Sequence, residues 1–478
     1  MEIRPNTKPP VVVSREEMMR QWELAGENRQ LLQHRMGHPA RAWVKTFGCQ
    51  GNVADSEKIM GLLLDMGCEP AVSEQEADII LYNTCAVREN AEVRLMSMVG
   101  ELRRLKQKNP TMIVGLCGCM MQQEEVVQQI RRSYPFVELI FGTHVLHTLP
   151  QMINRLLKGE RRVVDCYEGE GRENPIAEGL PIQRSGGVQA SLQIMYGCDN
   201  FCSYCIVPYV RGRERSRKPE AVLEECKRLV DQGVKEITLL GQNVNSYRGG
   251  GSEFSELLRR VDALGVPRIR FMTSHPKDLS DELIAAYGEL KHLMPALHLP
   301  VQAGNDEILA AMNRRYTRAH YLELVNKLRS VRPDVGLTSD IIVGFPGETE
   351  AQFEDTLSLV REVRYDSAFT FIYSKRAGTK AAQMPDPTSA QEKTERIQRL
   401  IDLQTAITHE ILTSQVGKRE TVLVESLSAR DEGWVGGKTP RGHMVNFPGN
   451  ADLIGKSVQV EILSAGRNTL RGRQITEV

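Results

Sequence analysis

From residue 41 onward, short apolar runs alternate with longer amphipathic stretches. The runs AWVKTFG, DIILYN, MIVGLCG and VELIFG are separated by stretches such as SEKIMGLLLDMG and NAEVRLMSMVGELRRLKQ, which carry apolar residues at helical spacing. Apolar strands alternating with one-sided helices predict a parallel sheet with helices packed on its faces. Residues 1–40 read as an N-terminal extension, with a helix predicted over SREEMMRQWELAGENRQLLQHR. The pattern lapses in EGEGRENPIAEGLPIQRSGG, where glycine, proline and charge predict a linker over 168–187.

A second alternation begins there, with predicted strands ASLQIMYG, EITLLG, RIRFMTS, ALHLPV, LTSDIIVGF and AFTFIYS. Six strand–helix repeats fall short of the eight of a closed barrel, so a partial (β/α)6 barrel is expected over 188–413. It ends in a long helix at about 388–414. Beyond it, ETVLVESL, GHMVNFPG and SVQVEILSAG alternate with period two between glycine turns, predicting a small antiparallel β-barrel over 414–478. The expected fold class is α/β in three domains, the first a parallel α/β domain over 41–167.

Composition narrows the setting. Of 478 residues, 61 are lysine or arginine and 61 aspartate or glutamate, so no global field holds the chain on nucleic acid and any such binding must come from local patches. No apolar run approaches the ~18 residues of a membrane span, and the first forty residues lack the apolar core of a signal peptide. The expected location is cytoplasmic, without membrane association. There thiols stay reduced, and clustered cysteines indicate metal or redox chemistry.

Such a cluster stands in YGCDNFCSYCIVPYVRGRERSRKP, where Cys198, Cys202 and Cys205 follow CxxxCxxC. Three thiolates at this spacing can hold three irons of a four-iron, four-sulfur cluster and leave the fourth open. A zinc site is the alternative, but no fourth ligand lies nearby in sequence. The motif follows the first barrel strand, and chemistry in such barrels gathers at the C-terminal strand ends. The other ends are polar: Gln242 and Asn243, Ser274 and His275, Gln302 and Asn305, then Gly344, Gly347 and Glu348. Taken singly each reads as a turn or cap, but together they indicate a ligand pocket. In the first domain Cys49, Cys85 and Cys119 stand where parallel strands are expected to end. Carboxyl ends of neighbouring strands converge, so these thiols either meet at a second site or are ordinary buried cysteines. Cys117 competes with Cys119, whereas Cys68, Cys166 and Cys226 read as plain thiols.

CxxxCxxC with Tyr204 just before its last cysteine, ahead of a partial barrel, resembles the radical S-adenosylmethionine superfamily. The resemblance implies that the open iron chelates S-adenosylmethionine, which electron transfer cleaves to a 5′-deoxyadenosyl radical. It places Tyr204 near the adenine and DIIVGFPGET in the adenine pocket, and makes Gln242, Asn243, Ser274, Gln302 and Gly344 candidates for cofactor contact. With TFGCQGN, YNTCAVREN and CGCMMQ ahead of it and a TRAM-like barrel behind it, the chain over about 41–478 is similar to the methylthiotransferases. NTCAVREN, GQNVNSY and TSHPKDL most resemble the branch that acts on isopentenyladenosine in tRNA.

That family implies two [4Fe–4S] clusters, one on Cys198, Cys202 and Cys205 and an auxiliary one on Cys49, Cys85 and Cys119 that carries a sulfide. It implies two molecules of S-adenosylmethionine, one methylating the sulfide and one cleaved to the radical. The implied product is a C–SCH3 bond at adenosine carbon 2 of tRNA position 37. Gly51, where methionine is usual, and PVQAGN, in place of PVQSGS, depart from the family pattern. The implied partners are a tRNA anticodon arm and a reducing donor such as flavodoxin or ferredoxin, with the chain expected to be a monomer. The run Arg211, Arg213, Arg215, Arg217 and Lys218 would clamp tRNA phosphates, the alternative being a solvated loop. Lys438, Arg441, Arg467, Arg471 and Arg473 would add cations, Trp434 and Phe447 stacking surfaces. MNRRYT (Arg314, Arg315, Tyr316) would contact RNA or cofactor. Other readings are a sister enzyme acting on threonylcarbamoyladenosine or a ribosomal-protein aspartate, and a non-catalytic iron–sulfur RNA-binding protein.

Overall fold

The computed structural model describes residues 11–87, 89–166, 174–184 and 186–475, with the side chains of 89–94 excepted. Residues 168–173 and 185 of the expected linker, and 1–10 of the expected extension, lie outside the described residues. The chain forms two compact units. The first comprises 1–185, 195–199 and 205–217, the second 186–194, 200–204 and 218–478.

In the first unit, α1 (Arg15–Met36) leads into β1 (Arg41–Thr46), α2 (Gln50–Asp65), β2 (Glu69–Pro70), β3 (Ile79–Thr84), α3 (Glu89–Lys108), β4 (Ile113–Gly118), α4 (Glu124–Ser133), β5 (Leu139–Phe141), α5 (Leu149–Leu157) and β6 (Val163–Asp165). The sheet order is β2-β1-β3-β4-β5-β6, and every pairing is parallel. All residues of β3 and β4 are buried, as expected of central parallel strands covered on both faces. Alternation divides the core. Ile79, Leu81, Ile113 and Leu139 serve one face, Ile80, Tyr82, Val114 and Ile140 the other. The short edge strands β2 and β6 are additions to the four strands that the apolar runs predict.

Residues 11–40 are integral to this unit. Ser14 caps α1 by accepting from Glu17 N, and Gly37 ends it at φ +76°. Buried Asn28 donates to Pro150 O at 2.7 Å and accepts from Asn154 Nδ2 at 2.9 Å, which ties α1 to α5.

After β7 (Gln189–Gln193), which belongs to the second unit, the chain returns to the first unit as β8 (Met195–Tyr196), α6 (Val207–Arg211) and β9 (Arg215–Ser216). The second unit continues through α7 (Pro219–Asp231), β10 (Glu236–Leu240), the hairpin β11 (Arg248–Gly249) and β12 (Ser252–Glu253), α8 (Phe254–Asp262), β13 (Arg268–Phe271), α9 (Asp281–Glu289), β14 (Ala296–His298), α10 (Asp306–Ala311), α11 (Arg318–Val331), β15 (Gly336–Val343), α12 (Glu350–Val363), β16 (Ser367–Ile372) and α13 (Ala390–Thr413). Parallel ladders β7-β10-β13 and β14-β15-β16, joined by the bridge Ile269–Leu293, give the six strands expected.

The chain closes with β17 (Arg419–Leu427), β18 (Trp434–Lys438), β19 (Met444–Pro448), β20 (Ser457–Ala465) and β21 (Leu470–Gln474), a closed barrel in the order β17-β18-β19-β21-β20. Its core holds Val422, Val435, Val445, Val460 and Phe447. Phe447 is therefore a core residue, and its expected role in stacking is corrected. Arg441 is corrected likewise. It forks onto Asp366 at 2.6 and 2.9 Å, a carboxylate that also meets His443 at 2.8 Å. No described helix is long and apolar enough to cross a membrane.

Asn28→Ala leaves the Pro150 carbonyl and the Asn154 amide without their buried partner. The expected cost is about 1–3 kcal/mol, read in urea unfolding as a lower midpoint for the transition that releases α1.

Candidate iron–sulfur and cofactor sites

Because β1, β3 and β4 are neighbours, their carboxyl ends bring three loops together. Cys49 precedes α2 as its N-cap, Cys85 comes directly after β3, and Cys119 begins a 3-10 turn after β4. Cys49 lies exposed, while Cys85 and Cys119 are buried. Asn52 ties the loops, with its amide donating to Thr84 O at 2.9 Å and Asn83 Oδ1 at 3.2 Å and its Oδ1 accepting from Cys49 Sγ at 3.4 Å. A hydrogen bond from Cys85 is the main cause holding the Cys49 thiol below its ordinary range, with Arg211's charge assisting. The same bond and burial push Cys85 up. Cys117 belongs elsewhere, packed with Leu139, Phe141 and Leu146 in one face of the core, and burial raises its thiol well above the ordinary range.

Arg211 Nε donates to Cys119 Sγ at 3.0 Å, and its Nη2 donates to Asp55 Oδ2 at 2.7 Å. Both charged side chains are nearly fully buried. Ile206 and Val210 on the same segment pack with Ala86 and Cys119. A Cβ on Gly51 would stand 3.6 Å from Cys49 Sγ and 3.7 Å from Arg211 Nη2, in ordinary contact with both. Among the described residues no three His, Cys, Asp or Glu side chains are gathered closely enough for a single metal ion. Three cysteines on neighbouring loops are the donor type that holds an iron–sulfur cluster.

The basic run does not form the exposed stripe that its sequence suggests. Arg211, Arg215 and Arg217 are buried. Arg215 donates to the Arg211 carbonyl at 3.0 Å and lies over the Tyr196 ring. Arg217 pairs with Glu178 at 2.6 Å, and Arg213 pairs with Asp199 at 2.8 Å. Guanidiniums held inward on protein partners are not phosphate clamps, and that expectation is corrected for Arg211, Arg215 and Arg217.

Of the CxxxCxxC cysteines, Cys198 and Cys205 belong to the first unit and Cys202 to the second. Cys198 N donates to Gly212 O at 3.1 Å. In the second unit, buried Arg314 donates to Cys202 Sγ at 3.3 Å, to Pro300 O at 2.8 Å and to Tyr316 Oη at 3.0 Å, and reaches Tyr204 Oη at 3.5 Å. Around it the barrel's strand ends are strained and incompletely paired. Thr273 (φ +67°) and Gln302 (φ +71°), beyond β13 and β14, occupy the left-handed region that non-glycine residues avoid. Asn243 Oδ1, Ser274 Oγ, His275 Nε2 and Tyr373 Oη are buried without a hydrogen-bond partner among the described residues. His275 Nδ1 accepts from Lys277 N, which leaves Nε2 as the protonated, unused donor. Orphaned polar atoms at the ends of β10, β13 and β16 fit a polar cofactor. Gln242 is half-buried beside Asn243. Gly344, at φ +68°, donates to Glu348 Oε2 at 2.7 Å. Burial of Glu348 raises its carboxyl to about 7, against the opposing pull of Gly344 N–H and Arg396.

The radical SAM superfamily model matches residues 192–360, the uncharacterized protein family UPF0004 matches 41–142, and the TRAM domain matches 413–475. A tRNA-2-methylthio-N(6)-dimethylallyladenosine synthase from Thermoanaerobacter sp. (strain X514) is 47% identical over 97% of this chain and 98% of its own. The chain belongs to this synthase family. Another synthase, from Acetivibrio thermocellus, is 48% identical over 97% of each chain. Among solved structures, the radical S-adenosylmethionine methyltransferase TsrM from Kitasatospora setae covers 82% of this chain and 79% of its own at TM-score 0.52 and 14% identity, which shows a shared fold alone. Membership of the synthase family brings an iron–sulfur centre and S-adenosylmethionine to this chain as cofactors.

The packing of Cys119 and Cys117 separates their roles in an experiment. Cys119→Ala should lower iron content by about one cluster per chain after anaerobic reconstitution, while Cys117→Ala, in the apolar core, should leave it near normal. A second expected outcome concerns Glu348, whose folded pKa of about 7 lies above its ordinary 4.5. The folded state therefore holds the extra proton, and stability contributed by this group is present below about pH 4.5 and lost as pH rises to about 7. Glu348→Gln should flatten that part of the stability–pH curve, measured by urea midpoints.

Proposed function

We propose that this chain methylthiolates carbon 2 of N6-(dimethylallyl)adenosine at position 37 of tRNA. The observation that carries this reading is the 47–48% identity, over almost the whole of both chains, to synthases named for this product. Convergence of Cys49, Cys85 and Cys119 at one sheet edge supports it. Cys198, Cys202 and Cys205 would hold one [4Fe–4S] cluster and Cys49, Cys85 and Cys119 the second, sulfide-bearing one. When bound, these clusters and S-adenosylmethionine supply one-electron reduction, a radical able to break an aromatic C–H bond, and the sulfur and methyl group of the product.

The chain's own residues bind and orient. Tyr204, Gln242, Asn243, Ser274, Gln302 and Gly344 would line the S-adenosylmethionine site, where Asn243 Oδ1 and Ser274 Oγ, buried without a partner among the described residues, would take its hydrogen bonds. Arg314 fixes the Cys202 sulfur from one side and the Pro300 carbonyl from the other. No acid–base dyad is required, because carbon 2 is inert to acids and bases. On the small barrel, Arg471 stacks over Trp434 at 5.1 Å, a surface suited to RNA bases. Electrons would come from a reducing protein such as flavodoxin or ferredoxin, and the chain would act as a monomer in the cytoplasm.

Mass spectrometry of tRNA nucleosides tests the reading. A strain lacking the gene should accumulate the dimethylallyl nucleoside without its methylthio group, whereas loss of methylthio-threonylcarbamoyladenosine instead would point to the sister enzyme. Cys49, Cys85 and Cys119 replaced together by alanine should still yield 5′-deoxyadenosine with dithionite but no methylthiolated nucleoside. Replacement of Cys198, Cys202 and Cys205 should abolish both. A folded auxiliary-site variant that still methylthiolates tRNA would overturn this division of labour.

A further inference from the structure

The buried guanidinium of Arg211 has no role in the proposed reaction, yet it touches a proposed cluster ligand. Its Nε stands 3.0 Å from Cys119 Sγ, and its Nη2 is fixed by Asp55 at 2.7 Å. Asp55 lies on α2, the helix that Cys49 caps, so the guanidinium bridges two of the three thiol-bearing loops. Its carrier α6 starts two residues after Cys205 and ends at Arg211 itself. Ile206 and Val210 seat that helix against Ala86 and Cys119, and Thr143 Oγ1 donates to Val210 O at 3.3 Å.

We infer that Arg211 is a positioning residue of the auxiliary cluster, donating a charged hydrogen bond to the Cys119 sulfur and so setting the cluster's reduction potential. The inference rests on the reading of Cys49, Cys85 and Cys119 as cluster ligands. Its physical basis is charge. Reduction adds an electron to the cluster, and a fixed positive donor at one of its sulfurs stabilises the more negative state. Arginine suits the place because it keeps its charge when buried, and its fork can serve sulfur and carboxylate together. Removing it should make the cluster harder to reduce without removing any ligand.

The test uses the full chain with Cys198, Cys202 and Cys205 changed to alanine, so that the auxiliary cluster alone is observed. Iron content and the electron paramagnetic resonance signal are tracked through a redox titration, with Arg211 intact, as Arg211→Gln, and as Arg211→Lys. In the Gln variant, at the potential where the Arg211 form is half reduced, the ratio of reduced to oxidised cluster should fall about tenfold, the scale of one charged hydrogen bond. The Lys variant keeps charge but not the fork, and should recover part of that loss. An iron-loaded Gln variant with an unchanged titration would overturn the inference. Should the Gln variant hold no iron, the Lys variant decides, since an unshifted titration there overturns the inference and a smaller shift in the same direction supports it. Absence of any cluster in the form with Arg211 intact would instead overturn the ligand assignment itself.

Discussion

A guanidinium at the buried end of a β-strand keeps its charge and needs a counter-charge beside it. Arg211 of the first unit has one in Asp55, and its Nε donates to Cys119 Sγ. Burying such a guanidinium without a counter-charge would cost several kcal/mol, so Asp55 and the thiol are conditions of its being there. The pairing also explains why the chain just beyond α6 turns inward. Arg215 caps the Arg211 carbonyl, and Lys58 donates to Tyr196 Oη at 3.0 Å beneath the same ring that Arg215 covers. A sequence that reads as a loose cationic loop is thereby drawn into the interior.

The second unit also buries a guanidinium against a thiol. Arg314 is buried, bonded to Cys202, and braced by the Pro300 carbonyl and Tyr316. Both arginines serve thiols that lie beyond the C-terminal ends of parallel strands, where successive loops converge and function can be built without disturbing the sheet. Thr273 and Gln302 show the strain such a mouth imposes, and the surrounding parallel ladders hold it in place.

Much of this architecture is legible in the sequence. Strand positions can be read from continuous apolar runs, because central parallel strands such as β3 and β4 are buried on both faces and admit little else. The short β2 and β6 escape notice, since a two- or three-residue edge strand leaves no periodic trace. Strand ends alone leave open whether Cys49, Cys85 and Cys119 meet or are ordinary buried cysteines. Only the resemblance and the place of Cys119 nearer the strand end favour it over Cys117. Three-dimensional packing separates the two, by turning Cys117 toward Leu139 and Phe141. Arg211 is misread from sequence because charge there implies solvent, and its partner Asp55 lies 156 positions away. The spacing from Cys205 to Arg211, a single short helix, is the available clue.

The inward arginines also bear on how tRNA can be held. With 61 cations balanced by 61 anions, long-range attraction is weak, and Arg211, Arg215, Arg217 and Arg441 are fully engaged within the protein. Exposed charge remains on the small barrel, where Arg471 and Arg473 keep 56% and 70% of their side-chain surface accessible. Each already faces an acidic neighbour, Asp431 or Glu461, so even these are partly neutralised. Contacts that ignore net charge can add to whatever phosphate attraction these groups supply. Stacking on aromatic groups such as Trp434 is one, and the shape of a single-stranded loop with its bases turned out is another. An apolar dimethylallyl group on the target base adds a third, because its burial is favourable without any charge at all.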